Sequence, residues 1–182
     1  TLKSSRWGVP IFRRRNDAVY GGTGDNLTLL ATLAGAGNVT LHRITPVGES
    51  ITIDWGDGGT TVVAPADVAN KVHAYGAAGT YNITITPASA IQQINFHDAQ
   101  LSNFDSAQLA ASPITYFLVY SLAAPCSVNS AHMTAWTPTQ WWLSSMPAGT
   151  YDIDSADMAG WTPTNWHLSS MPAGTYDIDS AD

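Results

Sequence analysis

Three carboxylates recur at fixed spacing towards the end of the chain. Asp152, Asp154 and Asp157 form a DxDxxD pattern that returns at Asp177, Asp179 and Asp182. Stacked copies would place these side chains about one strand spacing apart, where a hard cation such as calcium could relieve their repulsion. The pattern lacks the glycine and the bidentate glutamate of an EF-hand. The favoured interpretation is therefore a solvated acidic face without cofactor or metal, and calcium is the alternative.

Sequence motifs that enforce a catalytic mechanism are missing from the chain. It contains no HExxH, GxSxG, GxxxxGK[ST] or paired CxxC. The single cysteine, Cys126, is expected to be a small buried hydrophobe. The five histidines are scattered without metal-ligand spacing: His42, His73, His97, His132 and His167. We predict that the protein is not an enzyme.

Tryptophan is concentrated in the C-terminal half, at Trp136, Trp141, Trp142, Trp161 and Trp166. Rows of aromatic rings can stack on sugars, and the amides of Gln140 and Asn165 would supply hydrogen bonds. The same segment has few leucines and isoleucines, so tryptophan is also needed to fill a core. We favour packing, with a ligand or assembly surface as the alternative.

Charge is sparse and unevenly distributed. Only 12% of the residues are charged, the net charge is −7, and there are two lysines and one glutamate. Most basic residues lie in the first fifteen positions, where Arg6, Arg13, Arg14 and Arg15 predict an arm that docks on a partner. The acidic remainder would repel nucleic acid, and no apolar stretch is long enough to span a membrane. Such low charge is typical of secreted and virion β-proteins.

Short β-rich runs separated by turn residues follow the arm. They are Leu27–Leu33, Val39–Ile44, Ile51–Trp55, Thr60–Val63, Lys71–Tyr75 and Tyr81–Thr86. The spacing of about ten residues is that of an all-β sandwich. Alternation of Tyr81, Ile83 and Ile85 with polar residues predicts one core-facing side, and Asp54 and Asp57 are expected to cap turns, with calcium binding as the alternative.

The motifs in this segment resemble those of PKD domains. Residues 51–58 read ITIDWGDG, residues 73–75 read HAY and residues 79–85 read GTYNITI, similar to the WDFGDG, HxY and GTYxVxL signature of that family. The resemblance covers about residues 36–88 and implies an immunoglobulin-like sandwich of the kind found in extracellular proteins.

An internal repeat of 25 residues occupies the C-terminal half. Residues 143–157 read LSSMPAGTYDIDSAD, and residues 168–182 repeat them without change. A weaker copy covers Pro113 to Met133, and Ile94 to Phe104 is a more degenerate start. A fixed period of this length predicts stacked units that each shelter the next. The repeats resemble degenerate leucine-rich-repeat solenoids of bacterial surface and tailed-phage structural proteins.

The sequence thus predicts a mainly β protein in three parts. Residues 1–35 form an extended basic arm, 36–90 a PKD-like immunoglobulin-like β-sandwich, and 91–182 a β-rich solenoid of about 25-residue repeats. Because the last repeat breaks off with an uncapped apolar face, we expect further copies beyond residue 182.

We predict a non-enzymatic structural protein of an extracellular assembly, on a virion or cell surface. The favoured form is a phage virion fibre or decoration protein that is anchored by its arm and adheres through its solenoid. Its partners would be copies of itself, other virion or surface structural proteins, or a host-surface glycan, with no nucleic acid and no membrane insertion. The alternative is a carbohydrate-binding or adhesin module of a secreted bacterial protein.

Overall fold

The computed structural model describes residues 25–177, and this part of the chain is mainly β. The predicted docking residues Arg6, Arg13, Arg14 and Arg15 lie outside the described residues. The strands of the first part are β1 (Leu27–Leu33), β2 (Gly37–Leu41), β3 (Arg43–Pro46), β4 (Ile51–Asp54), β5 (Thr60–Val63), β6 (Lys71–Tyr75) and β7 (Gly79–Thr86).

The remaining strands alternate with short 3₁₀ helices. The strands are β8 (Ile91–Phe96), β9 (Leu101–Ser102), β10 (Phe104–Asp105), β11 (Tyr116–Tyr120), β12 (Cys126–Asn129), β13 (Gln140–Ser144), β14 (Thr150–Asp154), β15 (Asn165–Ser169) and β16 (Thr175–Asp177). The 3₁₀ helices are Ala88–Ala90, Ser106–Leu109, Ser130–Met133 and Ser155–Met158.

Antiparallel pairing builds the first part of the fold. Five strands pair in the order β5-β4-β7-β1-β9, and β2 pairs with β6 in a separate two-stranded ladder. In β7 the predicted alternation is confirmed, since Ile83 and Ile85 are buried while Asn82 and Thr86 are exposed. The strand bounds predicted for β1, β5 and β6 are also confirmed, whereas the predicted run Val39–Ile44 is divided at His42 between β2 and β3.

A tight turn connects β4 to β5 and packs against the aromatic core of this part. The predicted turn capping is confirmed: the Asp54 carboxylate accepts from the backbone N–H of Gly56, and that of Asp57 accepts from Gly59, both at 2.9 Å. Gly56 has a φ of +82°, and a β-carbon there would lie 2.6 Å from the carbonyl oxygen of Asn82. Glycine is therefore required where the turn passes β7.

Parallel pairing dominates the second part. One sheet has the order β15-β13-β11-β8-β3, in which β8, β11, β13 and β15 run parallel and β3 is an antiparallel edge. The other sheet, β10-β12-β14-β16, is entirely parallel. Each copy of the repeat supplies one strand to each sheet, and a 3₁₀ helix follows β10, β12 and β14.

Strand pairing and packing join the two parts directly. β3 pairs with β8, and β1 pairs with β9, so the strands continue across the predicted boundary at residue 90. β1 falls within the range predicted for the arm and lies in the antiparallel sheet. A single cluster of buried apolar residues extends from Leu27 to Met158.

Candidate binding surface

The alternation of side chains along β13 divides the tryptophans between two environments. Trp141 points into the space between the parallel sheets and is buried, whereas the next residue, Trp142, points outward and is 38% exposed. Successive residues of a strand face opposite sides, so this division follows from the register of β13.

The inward rings form continuous stacks from one repeat unit to the next. Trp141 lies between Phe117 and Trp166, with ring centroids 5.9 and 4.2 Å away. Trp136 is also buried and stacks at 6.5 Å on Trp161, which is partly exposed. The packing interpretation therefore applies to Trp136 and Trp141, which a ligand cannot reach without local unfolding. Trp166 is 38% exposed.

The outward positions of β11, β13 and β15 form a neutral face, which we call the outer face. It carries Tyr116, Leu118, Tyr120, Gln140, Trp142, Ser144, Asn165, His167 and Ser169. Aromatic rings and amides predominate, and no carboxylate or lysine occupies these nine positions. This combination suits uncharged polar ligands with apolar patches, such as sugars.

Neighbouring side chains hold Trp142 in place on the outer face. Its indole N–H donates to the Ser144 hydroxyl at 2.7 Å, and the His167 ring stacks on it at 3.9 Å between centroids. One face of the indole is thus covered by His167, and ligand contact is restricted to the remaining exposed area. Towards the β3 edge of the same sheet, the Arg43 guanidinium lies 4.5 Å from the ring centroid of Tyr116 and places one positive charge beside the outer face.

Stacked histidines lie where β3 and β8 meet the outer face. The rings of His42 and His97 are 3.3 Å apart between centroids, and His97 also stacks on Tyr120 at 4.7 Å. Burial lowers the pKa of both histidines, and the charge of Asp98 opposes this shift. Sequence reasoning missed the pair because His42 and His97 come together only through the pairing of β3 with β8.

The repeated acidic and amide side chains have structural partners in the second parallel sheet. Asp105, Asn129 and Asp154 each cap the following 3₁₀ helix by accepting from a backbone N–H two residues on. Asn129 donates to Asp152 at 3.4 Å, and Ser130 donates to Asp157 at 2.8 Å. A recurring Asp/Asn-Ser-Ala triplet could have predicted these caps from the sequence.

No group of three or more metal-ligating side chains occurs among residues 25–177. Asp179 and Asp182 of the predicted ladders lie outside the described residues, and Asp54 and Asp57 cap turns as described above. Calcium binding at these carboxylates stays an alternative prediction.

His73 and Cys126 lie on β6 and β12, which are not strands of the outer face. His73 bonds Asp57 at 2.8 Å, stacks on buried Trp55, and by this bond lowers the pKa of Asp57. Cys126 is buried, and burial raises the pKa of its thiol to about 11, so it is a poor nucleophile at neutral pH.

Comparison with known proteins found no matching family model, no similar curated protein and no similar solved structure. Between residues 25 and 177, no helix is long and apolar enough to cross a membrane. Any assignment of function therefore depends on the residues and geometry described above.

Proposed function

We propose that the protein is a non-enzymatic structural component of an extracellular assembly, most consistent with a phage virion fibre or decoration protein. The observation that carries the proposal is the unit-to-unit stacking of β11, β13 and β15 in one parallel register. Parallel stacking of near-identical units allows a scaffold to lengthen without a new fold for each addition.

In this proposal the parallel sheets are a β-rich solenoid, and the antiparallel part is a PKD-like, immunoglobulin-like sandwich that serves as a spacer. Two ladders of hydrogen bonds support the solenoid interpretation. Thr139 bonds the carbonyl of Thr115 through its N–H at 2.8 Å and its hydroxyl at 3.0 Å. Thr164 repeats both bonds on Thr139 at 2.8 and 2.9 Å. Equivalent bonds in successive units are what a regular solenoid requires.

The basic arm is proposed to attach this scaffold to its assembly. Arg6, Arg13, Arg14 and Arg15 carry most of the positive charge of an otherwise acidic chain. A positively charged arm of this kind would dock on an acidic patch of a neighbouring structural protein.

Immunogold microscopy of particles from the source, with antibodies against this chain, tests the proposal. We expect labelling at defined positions on virions or surface filaments. A matched chain in which the four arginines are replaced by serine should lose its attachment while its melting temperature stays unchanged. Label distributed only in the unassembled fraction would contradict the proposed role.

A second candidate is a carbohydrate-binding or adhesin module, and the composition of the outer face favours it. Trp142 is exposed beside the amides of Gln140 and Asn165, on strands whose outward positions carry no carboxylate, lysine or arginine. Uncharged glycans meet such a face through ring contacts and amide hydrogen bonds.

A glycan array distinguishes this candidate from a purely structural role. Binding that is lost in Trp142→Ala and retained in Val72→Ala would support it, because Val72 is exposed on β6, away from the outer face. An array without hits would argue against it, and turnover of a polysaccharide would contradict the non-enzymatic proposal.

A further inference from the structure

The apolar positions of the repeat are buried in one unit and partly exposed in the next. Trp136, Trp141, Leu143, Met146 and Tyr151 are at most 6% exposed. Their counterparts 25 residues later are partly exposed: Trp161, Trp166, Leu168, Met171 and Tyr176. We call these five counterparts the end surface.

The cause of this difference is visible in the packing. Trp166 covers Trp141 at 4.2 Å between ring centroids, and Leu168 pairs with Leu143 across the sheet. Each unit is thus buried by the one that follows it. No described residue covers the end surface in the same way.

Backbone pairing is one-sided at the same place. Among residues 25–177, β15 pairs with β13 only, and β16 pairs with β14 only. Their free edges offer N–H and C=O groups to a further strand on each sheet. Exposed sheet edges of this kind accept added strands through main-chain hydrogen bonds.

The end surface is also free of charge. Residues 161–176 contain no Asp, Glu, Lys or Arg, although the chain carries a net charge of −7. Edge strands are commonly protected from unwanted pairing by charged side chains, and β15 has none. The β15 edge therefore fits an uncharged partner strand, and β16 carries one carboxylate, at its last residue Asp177.

We propose that the end surface binds one further unit of this same repeat sequence, whose strands extend β15 and β16 in parallel register. The occupant follows from continuity with the interface inside the chain. The residues that form the end surface match, in sequence, those that already accept a unit one step earlier. A surface of the same composition and spacing accepts the same partner.

A second copy of the whole chain fits this surface less well. The matching surface on a second copy would be the edge of β8 that points away from β11. In each copy β3 already pairs with this edge. A second copy could therefore continue the sheet of β15 through β8 only if its β3 were displaced, whereas a further unit of the repeat can pair with β15 and β16 together. The inference rests on unit-to-unit packing and is independent of the proposed role in an assembly.

The test extends the full chain by one additional copy of residues 158–182. A matched extension of equal length carries serine at the positions equivalent to Trp161, Trp166 and Leu168. We expect the intact extension to raise the melting temperature by at least about 2 °C and to reduce quenching of tryptophan fluorescence by acrylamide. The serine extension should do neither.

Two results would overturn the proposal. Equal melting temperatures and equal quenching for both extensions would mean that the end surface does not accept a unit. A dimer of the unextended chain in sedimentation, dissociated by Trp166→Ser but not by Trp142→Ser, would identify a second copy as the occupant. These two tryptophans are matched in exposure at 38%, and only Trp166 belongs to the end surface.

Discussion

The hydroxyl of Ser130 donates a hydrogen bond of 2.8 Å to the carboxylate of Asp157 and accepts one of 2.9 Å from the backbone N–H of Asp154. One buried side chain thus joins two consecutive units at two points. Ser106 makes a similar contact one step earlier, accepting from the N–H of Asn129 at 2.9 Å. Buried serines therefore connect consecutive units through polar bonds.

Replacing Ser130 by alanine should lower the free energy of unfolding by about 1–3 kcal/mol. The change leaves the partly buried N–H of Asp154 without its acceptor and the Asp157 carboxylate without a donor, and losses of this kind cost about that much. Urea unfolding followed by circular dichroism measures the effect. Ser127→Ala is the control, because Ser127 is a partly exposed residue of β12, the strand directly before the 3₁₀ helix that begins at Ser130. An equal loss in both variants would contradict the role of Ser130.

Glycine is required at position 149, where two units approach closely. A β-carbon at Gly149 would lie 2.1 Å from the carbonyl oxygen of Cys126 in the preceding unit. Gly149→Ala should therefore displace β14 from β12 and destabilise the fold by at least about 1–3 kcal/mol, as overpacking does.

Gly76→Ala is the matched control for this change. Nothing lies within 4 Å of a β-carbon at Gly76, and its backbone is outside the positive-φ region. The free energy of unfolding of Gly76→Ala should stay within about 0.5 kcal/mol of that of the parent chain. Tolerance of alanine at both positions would mean that the units pack less closely than described.

The sequence predicted much of the local structure, for physical reasons that specific residues make clear. Alternation predicted the inward face of β7, and turn residues such as Asp57 predicted the bounds of β5 and the start of β4, which ends at Asp54, one residue before the predicted end. These signals are local in sequence. The pairings of β3 with β8 and of β1 with β9 join residues at least 45 positions apart, and composition carries no information about such closures.

The environment of each tryptophan was harder to predict. Trp141 and Trp142 are adjacent and identical in type, yet one is buried and the other lies on the outer face. A shift of register by one residue would exchange them. Only the pairing of Trp141 with Phe117 and Trp166 determines which ring enters the core.

The stacked rings of His42 and His97 predict a loss of stability in mild acid. Burial lowers the pKa of both below the ordinary value of 6.5. The unfolded chain therefore takes up protons at a higher pH than the folded chain. The stabilising contribution of the pair is complete above pH 6.5 and is lost as the pH falls through the lowered values.

Unfolding in urea on either side of pH 6.5 measures this dependence. His97→Phe keeps a ring between His42 and Tyr120 but removes one titrating group, so it should weaken the dependence. Tyr120→Phe keeps both histidines and should preserve it. A pH profile unchanged by His97→Phe would show that the pair does not titrate with folding.

Two buried tryptophans differ in how their indole N–H groups are satisfied. Trp136 donates to the carbonyl of Leu109 at 3.1 Å, whereas the N–H of Trp141 has no hydrogen-bond partner among the described residues. Both side chains are at most 1% exposed. Replacement by phenylalanine removes similar volume in each case, but it breaks a hydrogen bond only at Trp136.

We therefore expect Trp141→Phe to be less destabilising than Trp136→Phe by about 1–3 kcal/mol. Phenylalanine at 141 removes a buried donor that has no hydrogen-bond partner in the folded state. At 136 it removes one of the two hydrogen bonds to the Leu109 carbonyl, which keeps the bond from the Ser112 N–H at 2.9 Å. Urea unfolding of the two variants, prepared side by side, gives the comparison. Equal losses would mean that water or another group bonds the N–H of Trp141, and a larger loss for Trp141→Phe would mean that ring stacking outweighs the hydrogen bond.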